Sequence, residues 1–506
     1  MNLEHPKHFA ECTPHRPAVI VGDTGMTLTY GEMESRSNRL AHAFRTFGLG
    51  VGDHVAILIE NRPEYFEAVW AALRSGLFVT PINWHLSPDE VAYIVKDCGA
   101  SALVTSSGCF SLAEDVRAEV KVCIVVGDPV EGCESYESVL AAHPATPIDD
   151  ECEGAWMFYS SGTTGRPKGI KPPSVGGPLG QESSFTSLVR GLYGGDESTV
   201  YLSPAPLYHA APSGWASAIH RLGGTVVTMS HFDPVTLLAA IERYRVTLAQ
   251  VVPTHMVRLL KLPESERDRF DLSSLKVLVH AAAPCPPEVK QKVLEWLGPV
   301  VYEYYSGSEG VGFCAIGPDE WLAHPGSVGR SLLGAVHIVD DDGNEVSTRT
   351  EGEVWFETPH RFEYHGDPDK TESAFDHRGW STLGEIGWVD EEGYVYLTDR
   401  ASNMIVSGGV NIYPREVEDA LILHPAVEDV AVIGVPDTEM GESVRAVVQP
   451  VKPPVDPSAL ESELIAFCRD RIAHYKSPRS VVFVEELPRL PTGKVARRLL
   501  PPHVRS

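Results

Sequence analysis

At 506 residues the chain is longer than one hydrophobic core usually serves, so two or more domains are expected. Hydrophobic content of 43% and charged content of 22% are those of a globular protein, while a formal net charge of −27 argues against nucleic acid or an anionic membrane surface as the main partner. An anionic substrate must then be received by a local positive site, against the overall field.

The 9 cysteines are scattered, odd in number and without a Cys-x-x-Cys pair, which argues against a disulfide framework or structural zinc and fits a reducing compartment. Met1-Asn2-Leu3-Glu4-His5 lacks the basic and apolar regions of a signal peptide. No apolar run reaches the ~18 residues that span a bilayer. A cytoplasmic enzyme with no integral membrane segment is the expectation.

In chain order, Met33, Leu40, Ala43 and Phe44 recur at helical spacing after Thr29-Tyr30-Gly31-Glu32. Apolar runs at 54–59, 78–82, 102–104 and 122–126 read as buried strands, with a helix over 64–74 between the first two. Such alternation predicts an α/β arrangement with a largely parallel sheet. Residues 172–195, rich in Gly, Pro and Ser, read as a surface excursion. Strands at 223–227, 248–252 and 277–279 then alternate with helices over 234–244 and 286–297. From 327 to 396 the pattern changes to short strands and turns, with hairpin signals at Asp342-Gly343 and Glu392-Gly393. A polar hinge is expected at Asp399-Arg400-Ala401-Ser402-Asn403. It divides a large domain, 1–399, made of α/β subdomains plus a β-rich part, from a small mobile α+β domain, 400–506. The small domain should hold strands at 430–435 and 444–448, a helix from Arg415, and a helix over 457–474 burying Leu460, Leu464, Ile465, Cys468 and Ile472.

The chemistry gathers around Tyr159-Ser160-Ser161-Gly162-Thr163-Thr164-Gly165-Arg166-Pro167-Lys168-Gly169, which follows a short apolar strand. Glycines free backbone N–H groups to turn inward, hydroxyls add donors, and Lys168 adds a mobile cation, as a loop around a polyphosphate requires. Pro167 departs from the Walker A pattern, which needs a glycine there. Downstream, Tyr304-Tyr305-Ser306-Gly307-Ser308-Glu309-Gly310 offers a ring to stack on a base and a hard oxygen for magnesium. Glu385, in a tight turn after Gly384, can accept both hydroxyls of a ribose. Alone, either acid would more often be structural. Lys494, in Pro491-Thr492-Gly493-Lys494, is either part of a solvated charge cluster or a cation delivered by the small domain.

Together these pieces resemble the adenylate-forming superfamily of acyl-CoA synthetases, peptide-synthetase adenylation domains and luciferases, closest in look to AMP-forming acyl-CoA synthetases. The resemblance also covers Pro206-Leu207-Tyr208-His209, Asp399-Arg400, 407–414 and Tyr475-Lys476-Ser477-Pro478. It implies that a small-molecule carboxylic acid attacks ATP to give an acyl-adenylate, from which coenzyme A, or in some members an amine, displaces AMP. By motif position it implies that Thr163, Thr164 and Lys168 grip the β- and γ-phosphates. Tyr305 would then stack on adenine, with Ser308 near the α-phosphate and Glu385 and Arg400 on the ribose. It also implies that Lys494 bridges carboxylate and α-phosphate, that Glu309 holds magnesium, and that Gly408 and Gly409 line the pantetheine tunnel after domain rotation. His209 either gates the acyl pocket or packs in it. That pocket, lined from 209 to 215, by 280–283 and near 307–312, favours an apolar monocarboxylate. Three positions depart from the family pattern: Glu385 for Asp, Ser402 for Asp or Lys at the hinge, and Ser306 for Gly. The number of subunits is left open, a homodimer among the options.

Overall fold

The computed structural model describes residues 4–160, 167–172, 174–307, 309–358, 361–400, 403–408, 410–489, 495–501 and 504. The chain divides into two compact units: one of Met1–Val251, Ser265–Leu278 and Phe362–Thr371, the other of Val252–Glu264, Val279–Arg361 and Glu372–Ser506.

The first unit is built on parallel strands. One sheet runs in the order Glu134–Ser135, Val122–Val126, Ala100–Ser106, His54–Leu58, Phe78–Pro81, Ala155–Trp156, every pairing parallel. Its central strands are buried at every position, as the unbroken apolar runs predict for a sheet covered on both faces. The helix Pro63–Arg74 buries all of its residues except Glu64, which its near-continuous apolar composition requires. The helix Tyr30–Thr46 begins with a capping box in which the Glu32 N–H donates to the Thr29 hydroxyl at 3.2 Å and Glu32 accepts from the Thr29 N–H at 2.8 Å. It buries Met33, Leu40, Ala43 and Phe44, the stripe read from spacing. A second set of strands runs Leu248–Val251, Val200–Ser203, Thr225–Thr228, Pro17–Val21, Thr27–Thr29, parallel except for the last pair.

The expected surface excursion is only partly one. Ser184–Tyr193 is a helix, ended by Gly194 in the left-handed conformation, with Thr186, Val189 and Tyr193 buried. Its short apolar stripe was hidden by the Gly- and Pro-rich segment ahead of it, and burial against the core, absent from sequence, decides such short helices.

The second unit carries the antiparallel parts. Val301–Tyr305, Phe313–Ile316 and Arg330–Leu333 pair in order. A meander follows: Ala335–Val339, Gly352–Glu357, Ser381–Val389 and Val395–Arg400. Both turn signals are used, with Gly343 and Gly393 at φ 80° and 82° in turns where a side chain would be strained. The C-terminal part is a small α+β arrangement. Its sheet runs Val410–Ile412, Ile405–Ser407, Gly441–Pro450, Val427–Asp437, with Ser480–Phe483 parallel to Gly441–Pro450. The helices Pro414–Leu421 and Pro457–Arg469 supply Val417, Leu421, Leu464 and Cys468 to its core. The latter helix stops short of 474 because the chain tightens into i→i−3 bonding, Arg471 N–H to Cys468 O at 3.0 Å.

Beneath the strand Val301–Tyr305 lies a buried ion pair. The Lys290 ammonium donates to Glu303 Oε2 at 2.7 Å, and His280 Nε2 stands 3.4 Å from the same oxygen. Lys290 and His280 are 0% exposed. Burial and the Lys290 charge hold His280 down at about 4, against the pull of Glu303.

Candidate active site

Residues 158–160 and 168–170 form an antiparallel hairpin in which Lys168 pairs with Ser160 and Gly169 with Tyr159. The intervening loop, with Ser161, Gly162, Thr163, Thr164 and Gly165, lies outside the described residues, as does the Ser160 side chain. Its base is braced on several sides. The Tyr159 hydroxyl donates to Asp97 Oδ2 at 2.6 Å, Tyr93 donates to the Pro167 carbonyl at 3.2 Å, and the His365 N–H donates to the Gly169 carbonyl at 2.8 Å. A Cβ at Gly169 would press on the Met157 methyl and the Tyr159 ring, both of which would have to give. Lys168 Nζ lies 5.4 Å from the centre of the Tyr364 ring, a cation–π contact that steadies the ammonium beside the base of the hairpin. Asp97, Tyr364 and His365 had no sequence signal: Asp97 lies 62 residues from Tyr159, and Tyr93, four residues before Asp97, lies 74 from Pro167.

His209 is the N-cap residue of the helix Ala210–Leu222, its ring 4.4 Å from that of Tyr208, which meets Trp84 edge-on at 4.7 Å. The 209–215 segment divides by helical periodicity. His209, Ala210, Ala211 and Gly214 are half-buried, whereas Ser213 and Trp215 are turned into the core. Trp215 packs against Phe185, Tyr193 and Tyr201 at 5.0–6.0 Å. In the second unit His280 is likewise buried, while Ala282 and Ala283 are exposed and Ala282 sits at φ 73°.

Two of the motifs expected to bind nucleotide meet in the second unit. Tyr305 ends its strand, Glu385 lies in the meander paired opposite Arg400, and the Tyr305 hydroxyl donates to Glu385 Oε2 at 2.9 Å. Eighty residues apart in sequence, a flat ring and a carboxylate are thus joined into one surface. The Glu385 departure gains a geometric reason, because the longer side chain reaches the phenol. The tight turn expected at Glu385 is instead a strand interior: Gly384 and Glu385 lie within Ser381–Val389, where Gly384 at φ 80° accompanies a break in the register with Gly352–Glu357. The Ser306 departure is also accounted for. Its hydroxyl donates to the Gly312 carbonyl at 2.9 Å and closes the 306–312 loop that carries Glu309. Gly312 at φ 59° leaves room for the Phe356 ring, which lies 6.1 Å from Tyr305.

Tyr305→Phe keeps the ring and removes the bond to Glu385. KM for ATP should rise about three- to tenfold, ~0.7–1.4 kcal/mol, with kcat little changed in steady-state kinetics. An unchanged KM would show that Glu385 is oriented by something else.

Among the described residues no group of three His, Cys, Asp or Glu side chains could hold a resident metal. A magnesium that arrives with phosphates needs few protein ligands, since that ion keeps most of its ligands from water and substrate, and Glu309 is the carboxylate that the 304–310 motif would offer it. Ser308, Ser402, Gly409 and Lys494 lie outside the described residues, and of Arg400 only the backbone is described. Gly408 sits at φ 58° with its N–H donating to the Met440 carbonyl at 2.8 Å, in a hairpin that exposes Val406 and Val410. Asp399 accepts from the Arg415 N–H at 3.1 Å and from Asn403 at 3.0 Å, which ties it to the start of the helix Pro414–Leu421. Lys476, in the Tyr475–Pro478 motif, is held by Glu416 at 2.5 Å. The two groups of site residues fall in different units: the hairpin of Lys168 and the cap residue His209 in one, Tyr305, Glu309, Glu385 and Gly408 in the other. No described helix is long and apolar enough to cross a membrane.

Comparison with known proteins agrees with these motifs. The profile of the AMP-binding enzyme family matches residues 6–363, and that of the AMP-binding enzyme C-terminal domain matches residues 416–494. A feruloyl-CoA synthase of Amycolatopsis sp. is 34% identical, covering 97% of this chain and 96% of that protein. The long-chain-fatty-acid–CoA ligase FadD13 of Mycobacterium tuberculosis is 31% identical with the same coverages. Among solved structures, the amide bond synthetase McbA of Marinactinospora thermotolerans superposes with a TM-score of 0.77 at 28% identity, over 97% of this chain and 96% of that one. With a mixed α/β fold, a large N-terminal and a small C-terminal domain, and the nucleotide motifs on it in order, the chain belongs to the AMP-binding, adenylate-forming enzymes and is an AMP-forming acid–thiol ligase.

Proposed function

We propose that the protein activates an apolar monocarboxylic acid with ATP and transfers the acyl group to coenzyme A. The observation that supports this reading is the Tyr305–Glu385 hydrogen bond, which joins the ring read as the adenine platform to the carboxylate read as the ribose acceptor, from strands of two different sheets. Glu309 stands four residues after Tyr305 and offers a hard oxygen to magnesium, which supplies neutralising charge to the phosphates when bound. Lys168, at the end of the hydroxyl- and glycine-rich loop, adds a second source of positive charge for an attack of one anion on another. The uncharged side of the Ala210 helix (Ala210, Ala211 and Gly214) and exposed Ala282 and Ala283 suit an apolar acid. Exposed Val406 and Val410 beside Gly408 suit the lightly polar arm of a pantetheine. In this reading 1–399 binds ATP and acid, the hinge lies at 399–403, and 400–506 brings Lys494.

The test is a panel of carboxylic acids incubated with ATP and magnesium, with and without coenzyme A or amines, and read by mass spectrometry. An acyl-CoA with AMP and pyrophosphate is expected. Absence of pyrophosphate release for every acid would overturn the reading. A second reading, an amide-forming enzyme, has support in the likeness to McbA and in Ser402 at the hinge. It predicts products only when an amine is present. For the metal, Glu309→Gln keeps shape and removes charge. Activity should fall, and recovery should need severalfold more magnesium in a titration. An unchanged magnesium dependence would place the ligand elsewhere.

A further inference from the structure

Away from the nucleotide motifs, two thiols are set side by side at an edge of the first unit's sheet. The strands Val122–Val126 and Glu134–Ser135 pair in parallel with Ile124 opposite Glu134 and Val125 opposite Ser135. The same register, carried back one residue, puts Cys123 beside Cys133. Neighbouring strands lie about 4.8 Å apart, within the roughly 4.4–6.8 Å between Cα atoms that a disulfide spans. Both side chains pack on the same apolar cluster, Cys123 as a buried member and Cys133 half-buried against it.

The two cysteines differ in the way an attacking and a resolving thiol differ. Cys123 is 6% exposed, and burial, with the neighbouring thiol, pushes it well above the usual thiol range. Cys133 is half-exposed, on the turn that leads into the edge strand. Arg117 stands over that turn. Its guanidinium donates to the Glu131 carbonyl at 3.3 Å and lies 4.0 Å from where a Cβ of Gly132 would be. A cation on the turn that carries a half-exposed sulfur, with a second sulfur in the neighbouring register position, is a setting that favours peroxide-reactive cysteines. The edge strand has only two residues before the helix Tyr136–Ala141 begins, so a covalent tie there would clip the least supported strand of the sheet.

We propose that Cys123 and Cys133 form a reversible disulfide site whose oxidant is a hydroperoxide. The Cys133 thiolate attacks the outer peroxide oxygen, the O–O bond breaks, and water or an alcohol leaves with one proton, giving a sulfenic acid. The Cys123 sulfur then displaces hydroxide from that sulfenic sulfur, and its own proton completes a water molecule. In sum two thiols and one hydroperoxide give a disulfide, one water, and a second water or an alcohol. Two electrons pass from sulfur to oxygen, and a dithiol returns the pair to the reduced form.

The full-length protein, freed of reductant and treated with hydrogen peroxide, is alkylated and cleaved after glutamate without reduction. That cleavage separates residues 120–131, with Cys123, from 132–134, with Cys133. Mass spectrometry should find the two peptides joined and two hydrogens lighter than their sum, with separation by dithiothreitol. The oxidised protein should also melt at a higher temperature than the reduced one. Cys133→Ser should abolish the joined species, and Cys123→Ser should leave a sulfenic acid on Cys133 that dimedone captures. Arg117→Ala should slow cross-linking severalfold. Peptides that stay separate in the wild-type protein, or a bridge from either cysteine to Cys98 or Cys109 of the same cluster, would overturn the proposal.

Discussion

Lys494→Ala should reduce acid-dependent pyrophosphate release by about a hundred- to a thousandfold while leaving the second half-reaction in place. In the proposed first step a carboxylate attacks a phosphate that is itself negative, within a protein whose net charge is −27. The transition state gathers charge that the overall field opposes, so each local cation carries a large share of its stabilisation. In the proposed thioester step the leaving group is AMP and the nucleophile a thiol, and the lysine has rotated away. A chemically prepared acyl-adenylate supplied with coenzyme A should therefore be turned over by the variant at close to the parent rate. Equal loss of both half-reactions, measured as pyrophosphate release and as acyl-CoA formed from the adenylate, would remove Lys494 from its assigned step.

Lys290→Met should be the most destabilising single change outside the site, by about 3–5 kcal/mol in chemical denaturation. The pair it breaks is fully enclosed: Lys290 is 0% and Glu303 is 7% exposed, with 2.7 Å between charged atoms. Removing the ammonium leaves a carboxylate in a desolvated site, with a neutral imidazole beside it and Arg415 as the remaining, weaker positive influence. The pH dependence identifies the cause. Burial opposes the Glu303 charge, but Lys290, with help from His280 and Arg415, holds its carboxyl below the ordinary 4.5. A carboxyl depressed in the folded state contributes stability that is present above 4.5 and lost as pH falls through its folded value. In the variant that depression is gone and burial pushes Glu303 upward, so protonation relieves the folded state. The stability gap between parent and variant should narrow as pH is lowered from 7 towards 4.5. His280 acts on the same side of the scale: held at about 4, it disfavours the folded state as pH falls below its ordinary 6.5. A gap that stays constant with pH would assign the loss to packing. Because Glu303 lies two residues before Tyr305 on one strand, Lys290→Met should also raise KM for ATP, and the double variant with Glu303→Gln should recover part of both losses.

Much of the fold was legible because it rests on local repetition. Unbroken apolar runs at 54–59, 78–82 and 122–126 belong to strands covered on both faces, and they became the middle of a parallel sheet. The Met33–Phe44 stripe has the period of a helix face and is buried as one. Where a local signal was weak, the reading was too. Ser184–Tyr193 has too few residues to declare itself against the Gly-rich segment before it, and packing of Val189 and Tyr193 decided the outcome.

The sequence by itself determined the chemistry on offer: hydroxyls and glycines ahead of Lys168, a ring and an acid at Tyr305 and Glu309, a carboxylate at Glu385 and a cation at Lys494. These residue types and their order carried the resemblance to the adenylate-forming enzymes. Which groups serve one another was decided only by the tertiary structure. The Tyr305 hydroxyl holds Glu385 across 80 positions, Asp97 braces Tyr159 across 62, and Tyr364 comes back to face Lys168. Trp215, which the family resemblance assigned to the acyl pocket, is turned into the core by the phase of its helix. Cys123 and Cys133 look scattered in the chain and become neighbours through the register of two parallel strands. Hydrogen bonds and close packing act over a few ångströms, and only the folded chain brings residues so far apart in sequence within that range.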